Sequence, residues 1–97
     1  MKNKCYISGQ ITNIGLSVAI KNFAKSEATL IMGGLIPVNP IKEEHPGADW
    51  LECMRRDIKM LMDCDCIYMQ KGWEESRGAT IEHDLAKALG LSVIYEK

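Results

Sequence analysis

The sequence predicts an α/β fold built on a parallel sheet, with four strands and three helices in alternation. Two observations support this class. Short apolar runs of strand length alternate with longer stretches in which apolar residues recur at helical spacing. The resulting order β-α-β-α-β-α-β requires right-handed crossovers, which place helices on both faces of the sheet.

The first strand and the first helix are predicted in residues 5–34. The run Cys5-Tyr6-Ile7-Ser8 is short and mostly apolar, and Gly9 follows it. The helix is predicted from apolar residues at helical spacing, which are Leu16, Ile20, Phe23, Ala24, Leu30 and Ile31. Gly33 and Gly34 are expected to end it, because glycine readily adopts the left-handed conformation found at helix C-termini.

A short edge strand and a second helix are predicted next. Residues 35–39 predict the strand, and Pro37 places it at an edge because proline has no N–H to donate. Residues 40–48 are polar and predict a loop. Asp49 and Glu52 form a capping-box pattern, which predicts the start of a helix. The apolar face of that helix is predicted to contain Trp50, Leu51, Met54, Ile58, Leu61 and Met62.

The C-terminal third of the chain predicts a strand, a helix and a strand. Residues 64–69 predict the third strand, and residues 70–78 predict a loop. The third helix is predicted from Ile81, Leu85, Ala88 and Leu89. It is expected to end at Gly90, and residues 91–95 predict the fourth strand. We therefore expect a flavodoxin-like three-layer sandwich with a four-stranded parallel sheet in the order 2-1-3-4.

Length and composition exclude several classes of protein. The 97 residues support a single domain over residues 1–97. The formal net charge of -1 argues against binding to a nucleic-acid polymer, which requires a basic face. No apolar run approaches the roughly 18 residues of a membrane span, and the first apolar stretch is too short for a signal-peptide core. We therefore expect a cytoplasmic protein without a membrane partner.

The four cysteines are expected to be reduced thiols rather than metal ligands. Thiols of the cytoplasm stay reduced. Cys64 and Cys66 are two residues apart in the predicted third strand, so their side chains are expected on the same face. Neither this spacing nor the placement of the two histidines matches a zinc site. We expect no metal and no cofactor.

The candidate ligand site is a crevice beyond the C-terminal ends of strands 1 and 3, where ligands bind on sheets of this order. Two loops line it. One begins at Ser8 and Gly9, and the other contains Gly72, Trp73, Ser76 and Gly78. Glycines there allow the backbone to approach a ligand closely. Ser76 precedes the start of a helix, where a phosphate can accept backbone and hydroxyl hydrogen bonds.

Two acidic residues are candidates for catalysis. Glu82 is predicted in the first turn of the third helix, where the helix dipole favours its ionised form, although acids are common there for that reason alone. Asp57 lies on or beside the apolar face of the second helix, so it is either a buried functional carboxylate or a border residue that reaches water. Two carboxylates facing one crevice suit glycosidic chemistry. Tyr6 and Trp73 either stack on a base or sugar or belong, respectively, to the core and to a loop lid.

These residues carry a resemblance to a known family. They are Tyr6-Ile7-Ser8-Gly9, Asp57 eight residues before Asp65, Gly72-Trp73-Glu74-x-Ser76-x-Gly78-Ala79-x-x-Glu82, and Leu89-Gly90. Together they resemble a small domain family of unknown function (DUF4406-like) that is described as related to the nucleoside 2-deoxyribosyltransferases. The likeness covers nearly the whole chain, and its most specific part runs from Gly72 to Glu82.

The resemblance implies roles for four of the residues. Glu82 matches the glutamate nucleophile of the wider superfamily, Asp57 an aspartate near the base and leaving group, and Tyr6 a tyrosine of the first strand. Ser76 stands where the transferases carry an aspartate, and in this it resembles the 2'-deoxynucleoside 5'-phosphate N-hydrolases. A serine hydroxyl can donate to a 5'-phosphate that a carboxylate would repel. In relatives a neighbouring subunit completes the site, so the resemblance also implies a homo-oligomer, such as a dimer.

Three functions follow as hypotheses. The first is an enzyme that cleaves or exchanges the N-glycosidic bond of a 2'-deoxynucleoside 5'-monophosphate through Glu82, with retention of configuration. The second is a non-catalytic module that binds a small-molecule nucleotide or nucleoside on the same fold. The third is a structural or interaction protein with a vestigial crevice. The joint presence of Tyr6, Asp57, Ser76 and Glu82 favours the first two.

Overall fold

A four-stranded parallel sheet forms the centre of the computed structural model, which describes residues 3–43 and 49–97. The strands are β1 (Lys4–Ser8), β2 (Ile36–Val38), β3 (Cys66–Met69) and β4 (Ser92–Tyr95). Their order is β2-β1-β3-β4, and each neighbouring pair is parallel. The predicted α/β flavodoxin-like class and strand order are therefore confirmed, and Pro37 lies in an edge strand as expected.

Helices connect the strands throughout the described residues. They are α1 (Leu16–Met32), α2 (Trp50–Met62) and α3 (Arg77–Leu89), preceded by short 3₁₀ turns at Thr12–Ile14, Pro40–Glu43 and Trp73–Glu75. The loop predicted over residues 40–48 thus begins with a helical turn, and residues 44–48 lie outside the described residues. Within the described residues, no helix combines the length and apolar character that crossing a membrane requires.

The predicted helix ends are confirmed by their hydrogen bonds and backbone angles. Asp49 Oδ1 accepts a hydrogen bond from the backbone N–H of Glu52 at 2.8 Å, so Asp49 caps the N-terminus of α2. Gly34, after α1, has a φ of 82°, and Gly90, after α3, has a φ of 80°. Glycine adopts this left-handed conformation without steric cost, which explains why both helices end there.

Alternate residues of the two central strands face opposite layers of the molecule. Cys5 and Ile7 of β1 pack in one apolar cluster with Phe23 and Leu30 of α1. Tyr6 packs in a second cluster, whose helical members are Leu61 of α2 and Ala79 and Ala86 of α3. Helix α1 therefore covers one face of the sheet, and α2 and α3 cover the other.

The buried face of α1 differs from the predicted one. The predicted apolar positions that stay exposed are Leu16, Ile20, Ala24 and Ile31. The face that is buried consists of Ala19, Phe23, Ser26 and Leu30. The small side chains of Ala19 and Ser26 fit against the sheet, and the Ser26 hydroxyl donates a hydrogen bond to Oε1 of buried Gln70 at 2.7 Å. This bond satisfies a polar group that apolar periodicity alone assigns to solvent.

The expectation that Cys64 and Cys66 share a face is wrong. Strand β3 begins at Cys66, so Cys64 lies in the turn before it and strand alternation does not apply. The Cys64 thiol packs with the cluster beneath α2 and α3 and donates to the Met60 carbonyl at 3.3 Å. Cys66 packs with the cluster beneath α1.

Candidate functional site

A cavity of about 260 Å³ opens at the C-terminal end of β1. It lies next to the point where α1, which follows β1, and α3, which follows β3, pass to opposite faces of the sheet. This is the position at which sheets of this order bind ligands. The lining residues are Tyr6, Ile7, Ser8, Gly9, Ile11, Thr12, Phe23, Pro40, Trp50, Cys53, Met54, Asp57, Ser76, Gly78, Ala79 and Glu82. The volume lies just below the range of about 300–1,000 Å³ typical of small-molecule pockets.

Glu82 is held by β1, because each of its carboxyl oxygens accepts a hydrogen bond from that strand. The Tyr6 hydroxyl donates to Oε2 at 2.8 Å, and the Ser8 hydroxyl donates to Oε1 at 2.7 Å. Tyr6 and Ser8 are two residues apart in the strand, so both side chains leave the same face toward α3. Glu82 is only 5% exposed. The strand therefore holds the carboxyl group in one orientation.

The expectation that the helix dipole keeps Glu82 ionised is wrong. Helix α3 begins at Arg77 rather than after Gly78, so Glu82 lies in the second turn, and the dipole acts mainly within the first. Burial raises the pKa of Glu82 from 4.5 to about 7, the hydroxyls of Ser8 and Tyr6 lower it, and the charge of Asp57 raises it further. Desolvation outweighs the two hydrogen bonds because it penalises the ionised form directly.

Asp57 is the second buried acid of the cavity. It is 7% exposed on the inner face of α2 and lines the cavity together with Glu82. Its charge raises the pKa of both Glu82 and Tyr6, so it faces the same small volume as they do. Of the two alternatives for Asp57, the structure shows the buried carboxylate and not a border residue that reaches water.

Tyr6 is both a core residue and a site residue. Its side chain is 1% exposed and packs beneath α2 and α3, yet it lines the cavity. Burial and the neighbouring charge of Glu82 raise its pKa well above the ordinary value. The hydroxyl therefore stays protonated and remains a hydrogen-bond donor to Glu82.

The N-terminus of α3 forms part of the cavity wall. The Ser76 Oγ caps the helix by accepting a hydrogen bond from the backbone N–H of Ala79 at 3.2 Å. Gly78 allows α3 to approach α2, since a Cβ at this position would lie 3.0 Å from the Met54 sulfur. Gly9 is equally constrained, because a Cβ there would lie 2.3 Å from the side-chain nitrogen of Gln70. Ser76, Gly78 and Gly9 all line the cavity.

Gly72 and Trp73 lie elsewhere in the described structure, away from the cavity wall. Gly72 has a φ of 84° at the start of the turn before α3, beside the Gln10 side chain. The Trp73 ring stacks on His83, with centroids 4.2 Å apart, and His83 Nε2 lies 2.7 Å from the Tyr95 hydroxyl oxygen. This aromatic cluster lies toward β4, whereas Glu82 points to β1.

Several lining residues were not predicted as site residues. Trp50 and Met54 were assigned to the apolar face of the second helix, Cys53 to the reduced thiols, and Pro40 to a polar loop. A usable signal was available for Pro40, because it follows the C-terminal end of β2, the end at which such sheets bind ligands. No comparable local signal marks Trp50, since its position depends on how α2 and α3 pack.

The family described as "Domain of unknown function (DUF4406)" matches residues 3–95. The chain belongs to this family. No curated protein matches the chain significantly.

The family description assigns no chemistry, so the residues of the cavity are the basis for a functional conclusion. Every residue that carried the sequence resemblance lies within the matched range. Among the described residues, no group of three or more His, Cys, Asp or Glu is arranged to hold a metal ion. What the cavity offers is a buried carboxyl pair, Asp57 and Glu82, beside the hydroxyls of Tyr6, Ser8 and Ser76.

The raised pKa of Glu82 predicts that Glu82→Gln gains stability relative to the wild type as the pH rises. The folded protein holds the Glu82 proton up to about pH 7, whereas the unfolded chain releases it near pH 4.5. The unfolding free energy of the wild type therefore falls by about 3 kcal/mol between pH 4.5 and about pH 7 and does not recover at higher pH. We expect the difference in unfolding free energy between the two proteins to change by that amount from pH 4 to pH 8.

Urea unfolding at a series of pH values measures this difference. Glu74→Gln, an exposed position on the turn before α3, is the matched control and is expected to show no such window. Ser8→Ala is expected to move the upper limit of the window to higher pH, because it removes a donor to the carboxylate. A difference between Glu82→Gln and wild type that stays constant with pH would contradict the buried, proton-binding carboxyl.

Proposed function

We propose that the chain cleaves the N-glycosidic bond of a 2'-deoxynucleoside 5'-monophosphate, by hydrolysis or by transfer of the sugar to a second base. The observation that carries this proposal is Glu82: a buried carboxyl, held by one hydroxyl on each oxygen, facing the second buried carboxyl of Asp57. This pairing is what a double displacement at a sugar carbon requires. The proposal includes a relationship to the nucleoside 2-deoxyribosyltransferases and the 2'-deoxynucleoside 5'-phosphate N-hydrolases.

In the proposed first step, Glu82 acts as the nucleophile. One carboxylate oxygen attacks C1' of the deoxyribose, the new C–O bond forms, and the N-glycosidic bond breaks with its electron pair on the departing base. Tyr6 and Ser8 orient the carboxylate, and each oxygen keeps lone pairs beyond those the two hydroxyls occupy. With a pKa of about 7, a substantial fraction of Glu82 is ionised at neutral pH.

Asp57 is proposed to supply the proton that the departing base needs. Two buried carboxyls in one cavity do not both ionise readily, so one proton is available to the pair. Water then attacks C1' of the glycosyl-enzyme from the face the base has left, the bond between C1' and the Glu82 oxygen breaks to restore the carboxylate, and the Asp57 carboxylate accepts the proton of the water. When a second base attacks instead, the outcome is transfer. Two inversions give overall retention.

The phosphate is proposed to bind at the start of α3. The Ser76 Oγ accepts from the N–H of Ala79, so its own hydrogen is free to be donated to a ligand in the cavity. Backbone N–H groups of the first turn of α3 point in the same direction. Gly9 and Gly78 let the backbone line the cavity closely, while Gly72 and Trp73 are proposed to shape the loop that leads into α3.

The first prediction from this proposal is release of free base. The protein is incubated with the four common 2'-deoxynucleosides and their 5'-monophosphates, and the base is followed by chromatography. We expect release from monophosphates and a loss of at least about 1,000-fold in Glu82→Gln, because the amide is no nucleophile. Glu74→Gln is the matched control and is expected to keep full activity.

Other outcomes lead to other functions. Release only after a second base is added indicates transfer. No release, with monophosphates nevertheless raising the melting temperature, contradicts the enzyme and supports the non-catalytic nucleotide-binding module.

The second prediction concerns the charge of the phosphate subsite. Aspartate is as good an N-cap as serine, so Ser76→Asp is expected to keep α3 and the melting temperature while placing a negative charge beside the phosphate. We expect the Kd of a 5'-monophosphate to rise at least about tenfold and the Kd of the corresponding nucleoside to change little. Isothermal titration calorimetry measures both. Equal losses for the two ligands would contradict a phosphate role for Ser76.

We further propose that the chain forms a homo-oligomer through α1. Leu16, Ile20 and Ile31 are 56%, 49% and 62% exposed, and their spacing places them within about 60° on one face of the helix. Light scattering is expected to show a dimer or larger species for the wild type and a monomer for Ile20→Glu. Lys21→Glu, at an exposed neighbouring position, is the control. A wild type that stays monomeric at the highest concentration tested would contradict this interface.

A further inference from the structure

One basic side chain lies at the rim of the cavity without lining it. Arg77 is the first residue of α3, and its chain neighbours Ser76 and Gly78 both line the cavity. Its guanidinium carbon lies 4.3 Å from the centroid of the Trp50 ring, the first residue of α2. Trp50 also lines the cavity. The guanidinium therefore contacts a residue of the cavity wall without being part of that wall.

The charges that line the cavity are unfavourable for an anionic ligand unless a nearby cation such as Arg77 takes part in binding. Its lining contains two acids, Asp57 and Glu82, and none of its lining residues in the described part of the chain is basic. An anionic ligand placed there would meet negative charge with only hydroxyl and backbone donors in return. Phosphate recognition commonly uses arginine, whose planar, permanently charged guanidinium matches phosphate oxygens in pairs.

We propose that Arg77 is the residue that selects a phosphorylated ligand over its unphosphorylated counterpart. Trp50 holds the guanidinium over its ring at the cavity rim, so that little side-chain freedom is left to lose when Arg77 binds a phosphate at Ser76. Stacking at an exposed site is weak enough to be exchanged for a charged hydrogen bond. The inference rests on the proposed function in one respect, namely that the ligand is a nucleotide with its phosphate at the start of α3.

A purely structural role for the pair gives different results. If Arg77 only joined α3 to α2 across the Trp50 ring, its loss would lower the melting temperature and affect every ligand equally. A charge that acts on phosphate instead affects only the phosphorylated ligand, and its effect weakens with salt. The two roles therefore separate in one set of binding measurements.

The experiment compares Arg77→Gln, Arg77→Lys and Lys87→Gln, all made in a Glu82→Gln background that blocks turnover in the proposed reaction. Lys87 is an exposed cation ten residues further along the same helix, about 15 Å from Arg77. Its replacement by glutamine removes the same charge as Arg77→Gln. Calorimetry gives the Kd for the four 2'-deoxynucleosides and their 5'-monophosphates at two salt concentrations. Inorganic phosphate serves as a competitor.

We expect Arg77→Gln to raise the Kd of monophosphates about tenfold while nucleoside Kd values stay within about twofold. Arg77→Lys is expected to recover part of the loss, because it keeps the charge without the planar fork. Lys87→Gln is expected to bind like its parent. The salt dependence of monophosphate binding is expected to be smaller in Arg77→Gln, and inorganic phosphate is expected to compete less well.

Three results would overturn the inference: equal losses for both ligand classes, an unchanged monophosphate Kd in Arg77→Gln, or no monophosphate binding to the parent protein. Its failure is distinct from that of the proposed chemistry. Base release by the wild type without discrimination at Arg77 removes only the role of Arg77. Discrimination at Arg77 without base release from any substrate removes only the chemistry.

Discussion

The rest of the site depends on the burial of one carboxyl group, that of Glu82. Removing a carboxylate from water is costly, and burial is the largest influence on its pKa. The hydroxyls of Tyr6 and Ser8 offset part of this cost by donating to one oxygen each. Both hydroxyls come from alternate residues of one central strand, so the sheet itself fixes where the carboxyl group must be. Helix α3 has to bring Glu82 to that point.

Close backbone approach makes that position of α3 possible. Gly78 lets α3 pack near Met54 of α2, where any larger residue would press on the sulfur. The loop after β1 is tied to the turn before α3, because the Asn13 side-chain amide donates to the Glu75 carbonyl at 2.6 Å. Ser76 then ends that turn and caps the helix. The cavity is thus bounded by the Glu82 carboxyl group, by the close contact between Gly78 and Met54, and by the loop after β1.

The sequence was sufficient for features that depend on local periodicity or capping. Alternating apolar patterns predicted the strand order, and the Asp49 cap predicted the start of α2. The place of Asp57 beside an apolar face left burial and a border position as alternatives, and the structure shows burial. The start of α3 was misjudged because Ser76 and Gly78 are also typical loop residues, and only the hydrogen bond to Ala79 shows that the helix has begun. The place of Trp50 in the cavity wall depends on how two helices pack, which periodicity does not encode.

The two buried carboxyls gain their significance from being unequal. Glu82 has a donor on each oxygen, which favours its charged form, while the charge of Asp57 opposes that form. A shared cavity of low polarity favours a single negative charge on the pair. Burial and the Asp57 charge together outweigh the two hydroxyls, so Glu82 keeps its proton up to about pH 7. The proposed reaction needs the arrangement in which that proton is on Asp57 and the hydroxyls of β1 stabilise the charge on Glu82. With that proton on Asp57, the pair would have one nucleophile and one acid, which is the arrangement that the proposed cleavage of a glycosidic bond needs.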